Sequence, residues 1–312
     1  MCNELDIVRL NFSEQGLMIL DMTLFFIMYG VALNLKIDDF KAVVKRPRSP
    51  IVGLISQFLL LPLLTLALVL ILKPCASIAL GMFMVAACPG GNISNFMALL
   101  AKGNVALSVS LSAISTLLSI VMTPLNFVFW SGFYQPAADI LQEIAMDPVS
   151  IFLKILIILA VPLALGMWTA QKFPEFTARA IKPVRWASIV IFGGYVVAAL
   201  SINFQFFLDY VPLIVGYVFL HNLIALSSGY FFAWINKLPL ADRRSISIET
   251  GIQNSGIALV LIFGPIFDGL GGMALIAALW GIWHILAGLS LAGIWSRLSV
   301  SPAKTNTVED YA

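Results

Sequence analysis

Nine apolar runs of about 20 residues, separated by charged or turn-forming residues, set what this chain can fold into. They lie at 15–35, 50–72, 77–101, 104–131, 148–171, 184–207, 211–235, 244–267 and 272–296. A helix of about 20 residues crosses the hydrocarbon core of a bilayer. In that medium only a helix or a closed barrel satisfies its own backbone hydrogen bonds. The composition agrees, with 60% hydrophobic and 11% charged residues, where a soluble domain carries about 25% charged. The reading is an all-α polytopic membrane protein with nine transmembrane helices. Its surroundings are the lipid bilayer; neither a nucleic acid nor an obligate protein partner is expected.

Basic residues fix the orientation. One set of alternate connections holds Lys36, Lys41, Lys45, Arg46, Arg48, Lys102, Lys172, Arg179, Lys182, Arg185, Lys237, Arg243, Arg244, Arg297 and Lys304. The other side holds Arg9, Lys73 and Lys154, and is otherwise acidic, with Asp139, Glu143, Asp147, Asp209 and Asp268. The positive-inside rule then puts the N-terminus outside and the C-terminus in the cytoplasm of a cell (inner) membrane protein. The start, Met1 to Asp6, has no basic region ahead of an apolar core, so no cleavable signal peptide is expected. Residues 298–312 read as a short polar cytoplasmic tail without fixed structure. Three cysteines, Cys2, Cys75 and Cys88, are too few and too scattered to predict a disulfide framework or a metal site. Asn11-Phe12-Ser13 matches a glycosylation sequon, a triplet common by chance.

Two runs break the apolar pattern. The eighth carries Glu249-Thr250-Gly251-Ile252-Gln253-Asn254-Ser255-Gly256. A carboxylate at bilayer depth costs roughly 2.5–3.5 kcal/mol, and two glycines weaken the helix that should satisfy the backbone. The third carries Cys88-Pro89-Gly90-Gly91-Asn92-Ile93-Ser94-Asn95, where proline and paired glycines predict an unwound segment. Five spans separate the two interruptions, so they enter the membrane in opposite directions. Paired discontinuous helices in inverted repeats point to a secondary transporter with its site near the bilayer midplane.

Glu249 is the one carboxylate placed well inside a span; the bland reading is an interfacial acid near Arg243 and Arg244. Gln253 and Asn254 beside it favour a buried oxygen cage for a hard cation such as sodium. The fourth run holds Ser108, Ser110, Ser112, Ser115, Thr116 and Ser119, which singly read as close-packing positions. Gln57 fits either an interhelical hydrogen bond or a ligand. His221-Asn222 and His284 read as satisfied polar residues that could also line a cavity. Trp130, Phe133, Tyr134, Tyr210, Trp234 and Trp295 read as interfacial anchors.

Taken together, P-G-G-N-I-S-N from Pro89, K-G-N-V-A-L-S-V from Lys102 and E-T-G-I-Q-N-S-G from Glu249 resemble the bile acid:sodium symporter family over nearly the whole chain. The resemblance implies a panel domain of spans 1, 5 and 6 (15–35, 148–207). It also implies a core domain of spans 2–4 and 7–9 (50–131, 211–296), in which the two discontinuous helices cross. It further implies two sodium ions. The first would be held by Ser94, Asn95, Ser108, Ser112 and Glu249. The second would be held by Gln57, Glu249 and Gln253 with the carbonyls of Thr250 and Ile252. Substrate contacts would fall to Asn92, Asn254 and His284. Two departures lie on the substrate side. Trp283-His284-Ile285 lacks the amide of the family's W-H-N, and Asn92 stands where similar proteins have threonine. The implied substrate is an organic anion, bile-acid-like or a smaller carboxylate or sulfonate.

The function expected is sodium-coupled import of that anion by alternating access, with no enzymatic activity. Proton coupling through Glu249 is the alternative. A sensor that binds without transport is a further alternative, and an intramembrane lipid or isoprenoid enzyme a remote one, since no G-x-S-x-G occurs and Asp38-Asp39 lies in a basic loop.

Overall fold

The computed structural model describes residues 2–8, 22, 25–26, 28–30, 32–33, 47–91, 93–143, 148–202, 204–264, 266–267 and 269–298. In chain order the first helices are α1 (Cys2–Ile7), α2 (Arg48–Leu72), α3 (Ala76–Ala87), α4 (Ile93–Leu100), α5 (Val105–Ser131) and α6 (Gln135–Glu143). They are followed by α7 (Pro148–Lys172), α8 (Pro174–Ile202), α9 (Phe204–Ile235), α10 (Leu240–Gly251), α11 (Ser255–Phe263) and α12 (Gly271–Arg297). Among the described residues five of these, α2, α5, α7, α9 and α12, are long and apolar enough to cross a membrane. The expected first span, 15–35, lies largely outside the described residues, as does the tail from residue 299.

The two interrupted runs are each two helices: α3 and α4 in one, α10 and α11 in the other. α3 is buried at every position, packed between α5 and α12, as expected of a helix that is apolar all round. Ile78, Met82 and Phe83 of α3, Ile257 and Leu261 of α11, and Met273, Ile276 and Trp280 of α12 belong to one buried cluster. α9 lies along α10, and α7 along α5.

Several boundaries move. α10 begins at Leu240 rather than 244, so Asp242, Arg243 and Arg244 belong to a helix instead of a connecting loop. Buried Asp242 accepts from Ser49 Oγ (2.6 Å) and Asn104 Nδ2 (2.8 Å), tying the start of α2 and the cap of α5 to α10. Buried Arg244 donates from Nη1 to the Ala101 carbonyl (2.8 Å), just past the C-terminal end of α4, where a cation complements the helix dipole. Its guanidinium also lies 5.7 Å from the Trp295 ring centre. Residues 204–207, expected to close the sixth span, form the first turn of α9. The run Phe204-Gln205-Phe206-Phe207-Leu208 is too apolar to reveal the corner that precedes it.

The cysteine reading is corrected. Cys2 and Cys75 form a disulfide across 73 residues of sequence, because α1 folds back onto the start of α3. There Asp6 caps α3, accepting from Ser77 N (2.8 Å) and Ser77 Oγ (2.5 Å), and Gly271 N donates to the Val8 carbonyl (2.9 Å). Spacing alone cannot show a pair closed by a fold-back. Two of the expected interfacial anchors are also internal. Trp130 is buried and donates to Asn126 Oδ1 (3.0 Å), and buried Tyr134 donates to the Pro74 carbonyl (2.7 Å). Phe133 and Trp234 are exposed, as anchors should be.

Candidate cation and substrate site

α3 ends where Cys88 turns to extended backbone (φ −73°, ψ 157°), and α10 ends at Ile252 (φ −110°, ψ 85°). Each break frees backbone groups that must find partners away from water. The breaks satisfy each other. Gly91 N donates to the Ile252 carbonyl (2.7 Å), Asn254 N donates to the Pro89 carbonyl (2.8 Å), and Gly90 and Gln253 form an antiparallel bridge. Gly90 is required by close approach: a Cβ there would stand 2.7 Å from Glu249 Oε2 and 3.5 Å from Gln57 Oε1. The chain resumes as α11 with Asn254 as its cap, the side chain accepting from Ile257 N (3.1 Å).

Glu249 is 1% exposed. Its Oε1 accepts from Ser94 Oγ of α4 (2.5 Å), from Ser108 Oγ of α5, and from Ser112 Oγ one turn further along α5 (3.1 Å). Ser112 is equidistant from Oε2 (3.1 Å), and Asn95 Oδ1 lies 2.9 Å from Ser108 Oγ and 3.3 Å from Ser112 Oγ. The first predicted set, Ser94, Asn95, Ser108, Ser112 and Glu249, is thus one contiguous group of oxygens drawn from α4, α5 and α10. The interfacial reading of Glu249 is overturned by its burial and its partners.

The second set also converges. Gln57 Nε2 donates to Gln253 Oε1 (3.1 Å), and Gln253 Nε2 donates to the Thr250 carbonyl (2.7 Å). The Ile252 carbonyl already accepts from Gly91 and keeps a second lone pair. Gln57 is brought here by a π-helical segment of α2, Ser56–Leu60, in which Leu61 N bonds to the Ser56 carbonyl. Pro62 follows at once; it lacks an N–H and its ring would press on the Phe58 carbonyl of a regular helix. The wider turn relieves that pressure, and such bulges concentrate at functional sites.

Of the substrate set, Asn92 lies outside the described residues. Asn254 has a capping role, as above. His284 is buried, edge-on to Trp280 with ring centres 6.5 Å apart, and its Nδ1 has no hydrogen-bond partner among the described residues. Gly281 of α12 approaches Ser255 and Gly288 approaches Ile252; His284 shares that stripe and therefore faces the second break.

One residue of the site escaped the sequence, and a second had its role left open. Ser56 hydrogen-bonds Thr250 Oγ1 (2.9 Å), and neighbouring positions such as 56 and 57 do not share a face of a regular helix. Pro62 was the available signal. Asn222, read as satisfied or cavity-lining, donates from Nδ2 to the Gly251 carbonyl freed by the break (2.8 Å). His221 beside it meets Thr65 Oγ1 (2.7 Å) and packs on Trp280.

The model of the sodium bile acid symporter family matches residues 21–210. The chain belongs to the sodium bile acid symporter family. It is therefore a multi-pass membrane protein of a sodium-dependent transporter family and not an enzyme. It is 35% identical over 274 residues to the uncharacterized sodium-dependent transporter YocS of Bacillus subtilis, spanning 87% of this chain and 81% of that one. It is 30% identical to the probable chloroplastic sodium/metabolite cotransporter BASS1 of Arabidopsis thaliana, over 86% of this chain and 65% of the relative. The human P3 protein is 28% identical over 81% of this chain, which spans about half of that relative (52%). The symporter-family match ends at residue 210, whereas Glu249 and Gln253 lie beyond it, within the reach of the pairwise relatives' longer alignments.

Proposed function

We propose that this protein is a sodium-coupled symporter that imports an organic anion by alternating access. The observation that carries the reading is the meeting of the two helix breaks around Glu249. Three serine hydroxyls and Asn95 Oδ1 surround one buried carboxylate. Such a set offers oxygen donors and one negative charge, the chemistry that suits a hard monovalent cation. On binding sodium, the hydroxyl protons would turn away and their lone pairs would face the ion. Gln57, Gln253 and the carbonyls of Thr250 and Ile252 form the proposed second site, so that two ions pin the breaks in one arrangement. Asn92, Asn254 and His284 would meet the anion beside them.

The wider architecture belongs to the same proposal: nine spans in inverted repeats, a panel of spans 1, 5 and 6, and a core of spans 2–4 and 7–9. The Cys2–Cys75 disulfide supports an N-terminus on the oxidising, outer side of the cell membrane. The missing amide after His284 favours a smaller carboxylate or sulfonate over a bile acid, and the BASS1 relative is named only as a sodium/metabolite cotransporter. Two sodium ions with one monoanion carry one net charge, which gains about 2.3 kcal/mol at 100 mV. A tenfold gradient adds about 1.4 kcal/mol per ion. The sum supports accumulation of a few thousandfold.

The test is uptake into proteoliposomes of labelled taurocholate, pyruvate and pantoate under an inward sodium gradient. Sodium-driven accumulation of at least one anion is expected. Accumulation driven by a pH gradient without sodium would overturn the coupling in favour of Glu249 as a proton carrier.

A further inference from the structure

Away from the crossed breaks, a cavity of about 550 Å³ opens between α2 and α5, within the range of ligand pockets. Its walls are apolar, among them Ile55, Phe58, Leu118, Met122 and Trp130, and its one side-chain amide is Asn126. Ile55, Leu59 and Leu118 are exposed, so the cavity communicates with the surface that α2 and α5 turn to the bilayer.

Asn126 is 6% exposed, and its Nδ2 has no hydrogen-bond partner among the described residues. Its amide orientation follows from chemistry. The Trp130 indole N–H, 3.0 Å away, can only donate, so the amide atom it meets is Oδ1. The atom left over is therefore an NH₂ donor, and a buried donor without an acceptor is unfavourable. Among the described residues no charged side chain lines the cavity, so none of them compensates a phosphate or a free carboxylate. What fits is an apolar chain carrying one neutral acceptor.

Position along α5 names that acceptor. Asn126 lies five residues before Ser131, the last residue of α5, or roughly 7 Å from the helix end. Exposed Phe129 lies there edge-on to Trp130 and to exposed Phe133, at the end of a 27-residue helix that is long enough to reach the interface. From that level Met122 and Leu118 follow at one-turn spacing towards Phe58 and Ile55, deeper in the bilayer.

We propose that this cavity is a phospholipid site. One acyl chain would lie along Met122, Leu118, Phe58 and Ile55, and its ester carbonyl would accept from Asn126 Nδ2. A bound lipid would wedge α2, which carries Gln57, against α5, which carries Ser108 and Ser112. The site is independent of the transport reading, since no residue of the proposed cation or substrate sets lines it.

The test is native mass spectrometry of the delipidated full-length protein titrated with a diacyl phosphatidylethanolamine, its diether analogue or oleate. One diacyl lipid should bind about two- to tenfold more tightly than the diether form, the range expected for one neutral hydrogen bond. Asn126→Leu should abolish that preference while retaining binding, and Leu118→Trp, which fills the cavity, should remove both lipids. An equal affinity for diacyl and diether lipid would overturn the proposal, as would a preference that persists in Asn126→Leu. Binding of oleate alone would assign the cavity to a free fatty acid instead. A dimer lost in Leu118→Trp would assign it to a second copy of the chain.

Discussion

Ser112 Oγ stands 3.1 Å from each carboxylate oxygen of Glu249. It bridges the carboxylate, whereas Ser94 and Ser108 engage Oε1 alone. A hydroxyl in that position can swing from donor to cation ligand without moving its helix. Losing that oxygen ligand in Ser112→Ala should therefore raise the sodium concentration for half-maximal uptake about tenfold, equivalent to about 1.4 kcal/mol. Ser112→Thr, which keeps the hydroxyl, should stay within about twofold.

Gly90 predicts a steric coupling. Alanine there would place its Cβ 2.7 Å from Glu249 Oε2, closer than packed atoms stand. Gly90→Ala should lose sodium-dependent thermal stabilisation while the protein remains folded. In a Glu249→Ala background the same change should cost little more, because residues in contact are not additive. A double-mutant cycle on melting temperature, with and without sodium, measures the coupling.

Pro62 should matter although it touches neither proposed ion. With alanine at 62 the missing N–H is restored, and the π-helical turn at Ser56–Leu60 loses its cause. α2 should then tighten and rotate Gln57 away from Gln253. The expected result is unchanged or higher melting temperature without sodium, and at least severalfold weaker sodium activation of uptake.

The disulfide should act on stability alone. Cys2 and Cys75 lie 73 residues apart, and closing a loop of that length stabilises a chain by about 4–5 kcal/mol in the chain-entropy account. Cys75→Ser, or reduction of the purified protein, should lower the melting temperature by several degrees. The sodium dependence of uptake should be unaffected.

Much of the site was legible because its residues break a strong background. A carboxylate, two amides and paired glycines inside apolar runs stand out, and Glu249, Gln253, Gly90 and Ser94 do come together at the two breaks. The hydroxyls of α5 were individually ambiguous. Only the packing separates Ser108 and Ser112, which reach Glu249, from Ser115, Thr116 and Ser119, which bond to carbonyls of their own helix. Ser56 was hidden by the helical period itself, since a π-turn changes which residues share a face. The start of α10 was misplaced because Arg244 read as a loop charge and Asp242 lay outside the expected span. In the fold they are buried, held by Ser49, Asn104 and the Ala101 carbonyl. Periodicity reports what faces lipid; it does not report which polar groups find each other across helices.

The central claim is that Glu249 binds sodium, and the most direct measurement is equilibrium binding of labelled sodium to the purified full-length protein and its Glu249→Gln variant. The account predicts saturable binding to the wild type and loss of at least the site shared with Ser94, Asn95, Ser108 and Ser112 in the variant. Sodium binding of unchanged stoichiometry and affinity in Glu249→Gln would contradict it.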